Sequence, residues 1–148
     1  MAKAVAAGRV LSQRAKLNTQ REYESVTILR PEGRLDGQNY RELIDKAAEL
    51  YEAGTRNILL DLSEVTYMSS AGIVALHTIA LLLRGEPLPD LENGWHAYRT
   101  TGRAAESGMQ QHLKLLKPRP EISNTLDMVG FSAFLESFQD QEAAIQSF

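Results

Sequence analysis

The sequence predicts an α/β domain: a mixed sheet of about four strands packed with about four helices. Three observations carry that expectation. Ile58-Leu59-Leu60-Asp61-Leu62 is an apolar run broken only by Asp61, as a parallel strand covered on both faces requires. From Gly72 the period changes, and Ile73, Leu76, Ala80 and Leu83 recur at helical spacing. Strands that alternate with helices of this length need crossover connections, which lay helices on the faces of the sheet.

The elements follow in order. Residues 1–22 form a basic N-terminal extension, with Lys3, Arg9, Arg14, Lys16 and Arg21 and no acidic residue before Glu22. Residues 4–16 read as more helical than extended, and no long apolar run marks a signal peptide. The domain then occupies 23–148. Val26-Thr27-Ile28-Leu29-Arg30 alternates and is rich in β-branched residues, so it reads as a strand closed by the turn Pro31-Glu32-Gly33. Asp36 or Gln38 caps a helix to Ala53, whose Leu43, Ala47 and Leu50 form one apolar stripe and whose Gly54 stands just past its end. The strand at 58–62 leads through a polar turn into the helix ending at Leu83.

Residues 84–111 carry Pro87, Pro89, Gly94, Gly102 and Gly108 without either period. A structureless loop of that length is rare in a compact domain, so the segment reads as an insertion. Its Trp95 and Tyr98 would fold it back on the domain or anchor a partner. Beyond it lie a short strand at 113–118, a helix at 120–129 that opens on Pro120 and closes at Gly130, and an edge strand at 134–138. Asp140 caps a last helix, 141–148.

Composition excludes several classes of function. A chain of 148 residues can bury a sizeable core. Its formal net charge of −3 offers no general attraction to nucleic acid. With no cysteine there is no thiol catalysis, disulfide or thiolate metal site. The longest apolar run, 72–83, falls well short of the ~20 residues that span a bilayer. A soluble, cytoplasmic protein is expected.

Catalytic signatures are absent as well. Gly-x-Ser-x-Gly and a glycine-rich phosphate loop are missing, and no His-x₃-His pair accompanies His77, His96 and His112. The reading is a protein that is not an enzyme and uses no cofactor or metal. Asp36 and Asp61 stand at strand ends, where carboxylates serve as Mg²⁺ ligands or as braces for caps and loops; bracing is the expectation. The informative turn is Tyr67-Met68-Ser69-Ser70-Ala71-Gly72. Ser69 or Ser70 caps the helix, and a serine there sets its hydroxyl at the positive end of the helix dipole, where a phosphoryl group is tolerated.

These pieces together resemble the STAS domain family of anti-sigma factor antagonists. The resemblance rests on Gly33-Arg34-Leu35-Asp36, on the run from Ile58 through Ser69-Ser70-Ala71-Gly72, on 113–120, and on Leu126-Asp127-Met128-Val129-Gly130-Phe131. It implies a STAS-like single domain. It also implies a docking surface around Asp36, Tyr67, Met68, Ser69, Ser70 and Gly72 for an anti-sigma factor that is also a serine kinase. In the family a serine or threonine at the start of the second helix is phosphorylated by that partner, and a PP2C-type phosphatase is the matching reversal enzyme. Aligned on Gly72, the acceptor falls on Ser70, with Ser69 as the alternative. The residue before the acceptor is usually aspartate and here is Ser69, which favours a rival role as a constitutive scaffold or a subunit of a lipid-transport ABC complex. The family's usual hairpin strand ahead of residue 26 is not recognisable, and the bare sheet edge this leaves is compatible with a homo-oligomer.

Overall fold

Alternation along the strands divides the core into two layers, one on each face of the sheet. In the computed structural model, which describes residues 9–16, 25–86 and 109–148, the described strands are β1 (Arg9–Lys16), β2 (Ser25–Leu35), β3 (Asn57–Asp61), β4 (Val65–Met68), β5 (Leu113–Leu116) and β6 (Ser137–Phe138). The helices are α1 (Tyr40–Glu52), α2 (Ser70–Leu83), α3 (Pro120–Met128) and α4 (Gln141–Gln146), with a 3₁₀ turn at Phe131–Ala133. Leu29, Ile58, Leu60, Leu113 and Leu115 face a large core filled by α1, α2 and α3, while Val26, Ile28, Leu59 and Leu116 face a smaller one closed by Ala144 and Ile145 of α4. This is the side-chain period of two that a pleated sheet imposes.

The order across the sheet is β1-β2-β3-β5-β6, with β4 paired to β2. Among the described strands only β1 is antiparallel to its neighbour; β2–β3, β2–β4, β3–β5 and β5–β6 are parallel. The mixed α/β architecture is thus the expected one, with two strands more than expected.

The first of these is β1. Arg9–Lys16 pairs along its whole length with β2, from Arg9↔Glu32 to Lys16↔Ser25. The helical expectation for residues 4–16 is corrected over this stretch, because ladder bonds to an existing strand outweigh the weak helix propensity of a few alanines. The basic extension at 1–22 therefore contributes a strand to the sheet.

The second is β4, four residues inside what reads as a turn. It pairs with the far end of β2 (Gly33↔Val65, Leu35↔Met68), across an irregularity between Gly33 and Arg34. So β2 does not stop at Pro31 but runs on to Leu35. Pro31 lacks a donor; opposite Val10 of β1 on one side, it falls on the other side beyond the last β3 pairing, Leu29↔Leu60, and before the first β4 pairing, so no β3 or β4 partner is left without its N–H. Gly33 takes φ of 84° at the irregularity and donates its N–H to Glu64 O at 2.9 Å.

Most of the insertion expected at 84–111 lies outside the described residues, Trp95, Tyr98 and His96 included. Among the described residues no helix is long and apolar enough to cross a membrane.

Under α4, Lys114 is 6% exposed. Its ammonium donates to the Ser147 carbonyl at 2.9 Å and to Ser147 Oγ at 3.0 Å, pairs with Glu136 at 3.4 Å, and lies against the Phe148 ring. A buried lysine needs such partners, and these pin the C-terminal turn to the sheet.

Candidate functional site

The parallel strands β2 and β4 end side by side, and each hands over to a helix. Met68 and Leu35 are register partners, and Ser69 N donates to Leu35 O at 3.0 Å. The chain then turns directly into α2. Ser69 is the N-cap, in an extended conformation (φ −89°, ψ −179°), and its Oγ accepts from Ala71 N at 3.2 Å. The cap satisfies one of the donors that a helix start leaves open. Ser70 is the first helical residue, and it is exposed.

Behind that first turn α2 is sealed. Every residue from Gly72 to Leu83 is buried except Leu82, so the helix is apolar all round and acts as the central piece of the larger core. Gly72 permits the seating. A Cβ there would lie 2.6 Å from Met68 Cγ and 3.0 Å from Leu35 O, closer than a side chain can pack against backbone.

The neighbouring turn, between β2 and α1, is braced by hydrogen bonds. Asn39, 8% exposed, accepts from Asp36 N at 3.0 Å and donates to Arg34 O at 2.7 Å. Asp36 Oδ1 accepts from Gln38 N at 3.0 Å. Asn39, not Asp36 or Gln38, occupies the N-cap position of α1, with no side-chain cap bond of its own; Asp36 holds the turn through its carboxylate and through its carbonyl, which accepts from Tyr40 N at 2.9 Å. On the outside, Arg34 Nε lies 3.5 Å from Asp36 Oδ2, and the guanidinium stacks 4.2 Å from the centre of the Tyr67 ring.

The candidate residues from sequence thus sort into two groups. Asp36, Tyr67, Ser69 and Ser70 line one surface, with Tyr67 43% exposed. Met68, 6% exposed, and Gly72 are buried beneath it, as anchors of the turn rather than points of contact. Arg34 was not among the sequence candidates. Its signal was its place in Gly33-Arg34-Leu35-Asp36, two residues before the aspartate and so on the same side of an extended strand.

Asp61 and His112 are held by polar partners, and His77 is enclosed in the core. Asp61, 7% exposed, accepts from Ser63 N at 2.9 Å and faces Arg30 Nε at 3.6 Å. His112 Nδ1 is 2.8 Å from Asn57 Oδ1. His77 is 1% exposed within α2, beside the Phe131 ring. Among the described residues no group of three His, Asp or Glu is placed to hold a metal ion.

The fold is of the class seen in anti-sigma factor antagonists. The chain superposes on an anti-sigma factor antagonist from Mycobacterium paratuberculosis at 12% identity, covering 97% of each chain with a TM-score of 0.60. It is also similar to a Thermotoga maritima protein assigned as an anti-sigma factor antagonist (16% identity, 82% of this chain and 85% of that one, TM-score 0.58). A third match is the Bacillus cell fate determinant SpoIIAA in its phosphorylated form (15% identity, 90% and 96%, TM-score 0.52). At these identities the likeness is one of fold alone. No curated protein matches the chain. Residues 19–85, a stretch that includes β2 through α2, match the STAS domain family.

Proposed function

We propose that this protein is a partner-switching regulator of the anti-sigma factor antagonist kind, acting by binding and not by catalysis. In this reading the surface formed by Asp36, Tyr67, Ser69 and Ser70 docks on an anti-sigma factor that is also a serine kinase. Ser70 is its phosphoacceptor. The supporting observation is the division of labour in the turn: Ser69 commits its hydroxyl to the helix cap while Ser70, next in sequence, is exposed.

The chemistry is direct. The Ser70 hydroxyl takes the γ-phosphoryl group of ATP, ADP leaves, and the hydroxyl proton passes to the kinase's base. The product carries about −1.5 to −2 charge at neutral pH. No acidic residue stands in the first turn of α2, so the helix dipole accommodates the anion within this chain. A partner packed face to face on the same spot must instead desolvate it. Carrying a complex from 99:1 bound to 1:99 takes about 5.5 kcal/mol of differential free energy, and desolvating a phosphoryl charge at a packed interface is of the right order. A PP2C-type phosphatase would restore the binding form, in the cytoplasm, where such kinases and sigma factors work.

The test is calorimetry with a purified kinase-type anti-sigma factor, in the presence of ADP. The unmodified protein is expected to bind and the form phosphorylated at Ser70 to lose binding by about 10⁴-fold. Equal affinity of the two forms defeats the switch and leaves a binding module.

One observation favours a second reading. Ser69 stands where the family usually has aspartate, which supports a constitutive subunit role, for example in a lipid-transport ABC complex, with no phosphorylation. Co-purification separates the two, since a kinase-type ATPase partner supports the first and an ABC-type ATPase the second.

A further inference from the structure

Resting on the reading of Ser70 as phosphoacceptor, we propose that Arg34 is an intramolecular reader of the phosphate: when Ser70 is modified, the guanidinium leaves Asp36 and pairs with the phosphoryl group. Arg34 sits beside the turn by construction. It is the register partner of Tyr67, and the next residue, Leu35, gives its carbonyl to Ser69 N and abuts the first turn of α2 at Gly72.

Its present bond is loose. Nε lies 3.5 Å from Asp36 Oδ2, well beyond the ~2.7–2.9 Å of a good charge-assisted hydrogen bond. The Arg34 side chain is 58% exposed, so solvent screens the pair and a stronger anion displaces the carboxylate. A phosphate offers three acceptor oxygens and nearly twice the charge, and its geometry suits the donor fork of arginine. The Tyr67 ring supports the flat face of the guanidinium at 4.2 Å, which leaves the N–H edge to turn toward the anion. The first turn of α2 brings no carboxylate to compete.

The exchange has a consequence for docking. Unmodified, the surface shows a neutral Arg34–Asp36 pair beside a hydroxyl. Modified, Arg34 is drawn to the phosphate and Asp36 loses its ion pair while keeping the bond from Gln38 N, so a single modification changes two points on the same face.

The test uses the full chain with phosphoserine installed at position 70 during translation, so that no kinase is needed, and with Arg34, R34K or R34Q. The readouts are the ³¹P signal followed through the second phosphate ionisation near pH ~6 and the ¹⁵N–¹H signal of Arg34 Nε. The expected result is a lower ionisation midpoint with Arg34 than with R34Q, an intermediate one with R34K, a difference that shrinks as salt is raised, and a shifted Nε signal on phosphorylation. Equal midpoints for Arg34 and R34Q, or an unmoved Nε signal, overturn the proposal. Either outcome is independent of whether a kinase chooses Ser70: failure here leaves Ser70 as acceptor, and a kinase that ignores Ser70 leaves this result unchanged.

Discussion

Two helices begin side by side at the ends of β2 and β4, and their first turns are built in opposite ways. The α1 turn is held by side chains. Asn39 bonds both Asp36 N and Arg34 O, Asp36 holds Gln38 N, and Glu42 stands in the first helical turn against the dipole. The α2 turn has a single serine cap, no acid, and a glycine that lets the helix sink onto Leu35 and Met68. One start is neutralised from within. The other carries no acid in its first turn and begins on an exposed serine, which suits an added anion.

Substitutions that break the α2 seat are expected to have the largest effect. Gly72→Val forces branched carbon against Leu35 O and Met68 and should lower stability by about 3 kcal/mol, the upper part of the usual overpacking range. The shift in denaturation midpoint at constant m checks it. At the α1 turn, Asn39→Ala leaves Asp36 N and Arg34 O without their partner and should cost about 2 kcal/mol, with faster hydrogen exchange at the start of α1.

Smaller changes sharpen the contrast between the two serines. Ser69→Ala removes the cap and should cost about 1 kcal/mol, whereas Ser70→Ala, at an exposed site, should stay within about 0.5 kcal/mol of the parent. Equal losses for the two would mean that they share the capping role. Ser70→Asp should raise stability by about 0.5 kcal/mol at low salt through the dipole of α2, and that gain should vanish at high salt. The same change at the position of Glu42, already acidic, has no counterpart.

Much of this arrangement is legible in the sequence, where a period is long enough to carry a signal. The leucine run of β3, the stripe of α1 and the apolar face of α2 each gave the right element, as did Pro120 and Gly130 at the two ends of α3 and Asp140 at the start of α4, whose Oδ2 accepts from Ala143 N at 2.8 Å. What was missed depends on partners distant in sequence. Arg9–Lys16 is a strand because β2 lies beside it, and Val65–Met68 is too short to show alternation although Val65, Thr66 and Tyr67 favour extended backbone. Pro31 looked like a stop because its position between two pairings cannot be seen in one dimension. The family resemblance groups Ser70, Tyr67 and Asp36, but the burial of Met68 and the place of Arg34 required the β2–β4 register.

The most direct test is phosphosite mapping by mass spectrometry after the protein is incubated with a kinase-type anti-sigma factor and ATP, in parallel with Ser70→Ala and Ser69→Ala. Phosphate on Ser70, lost in the first variant and retained in the second, is the expected result. Phosphate on Ser69, or on neither serine, contradicts the assignment of the open helix start as the switch.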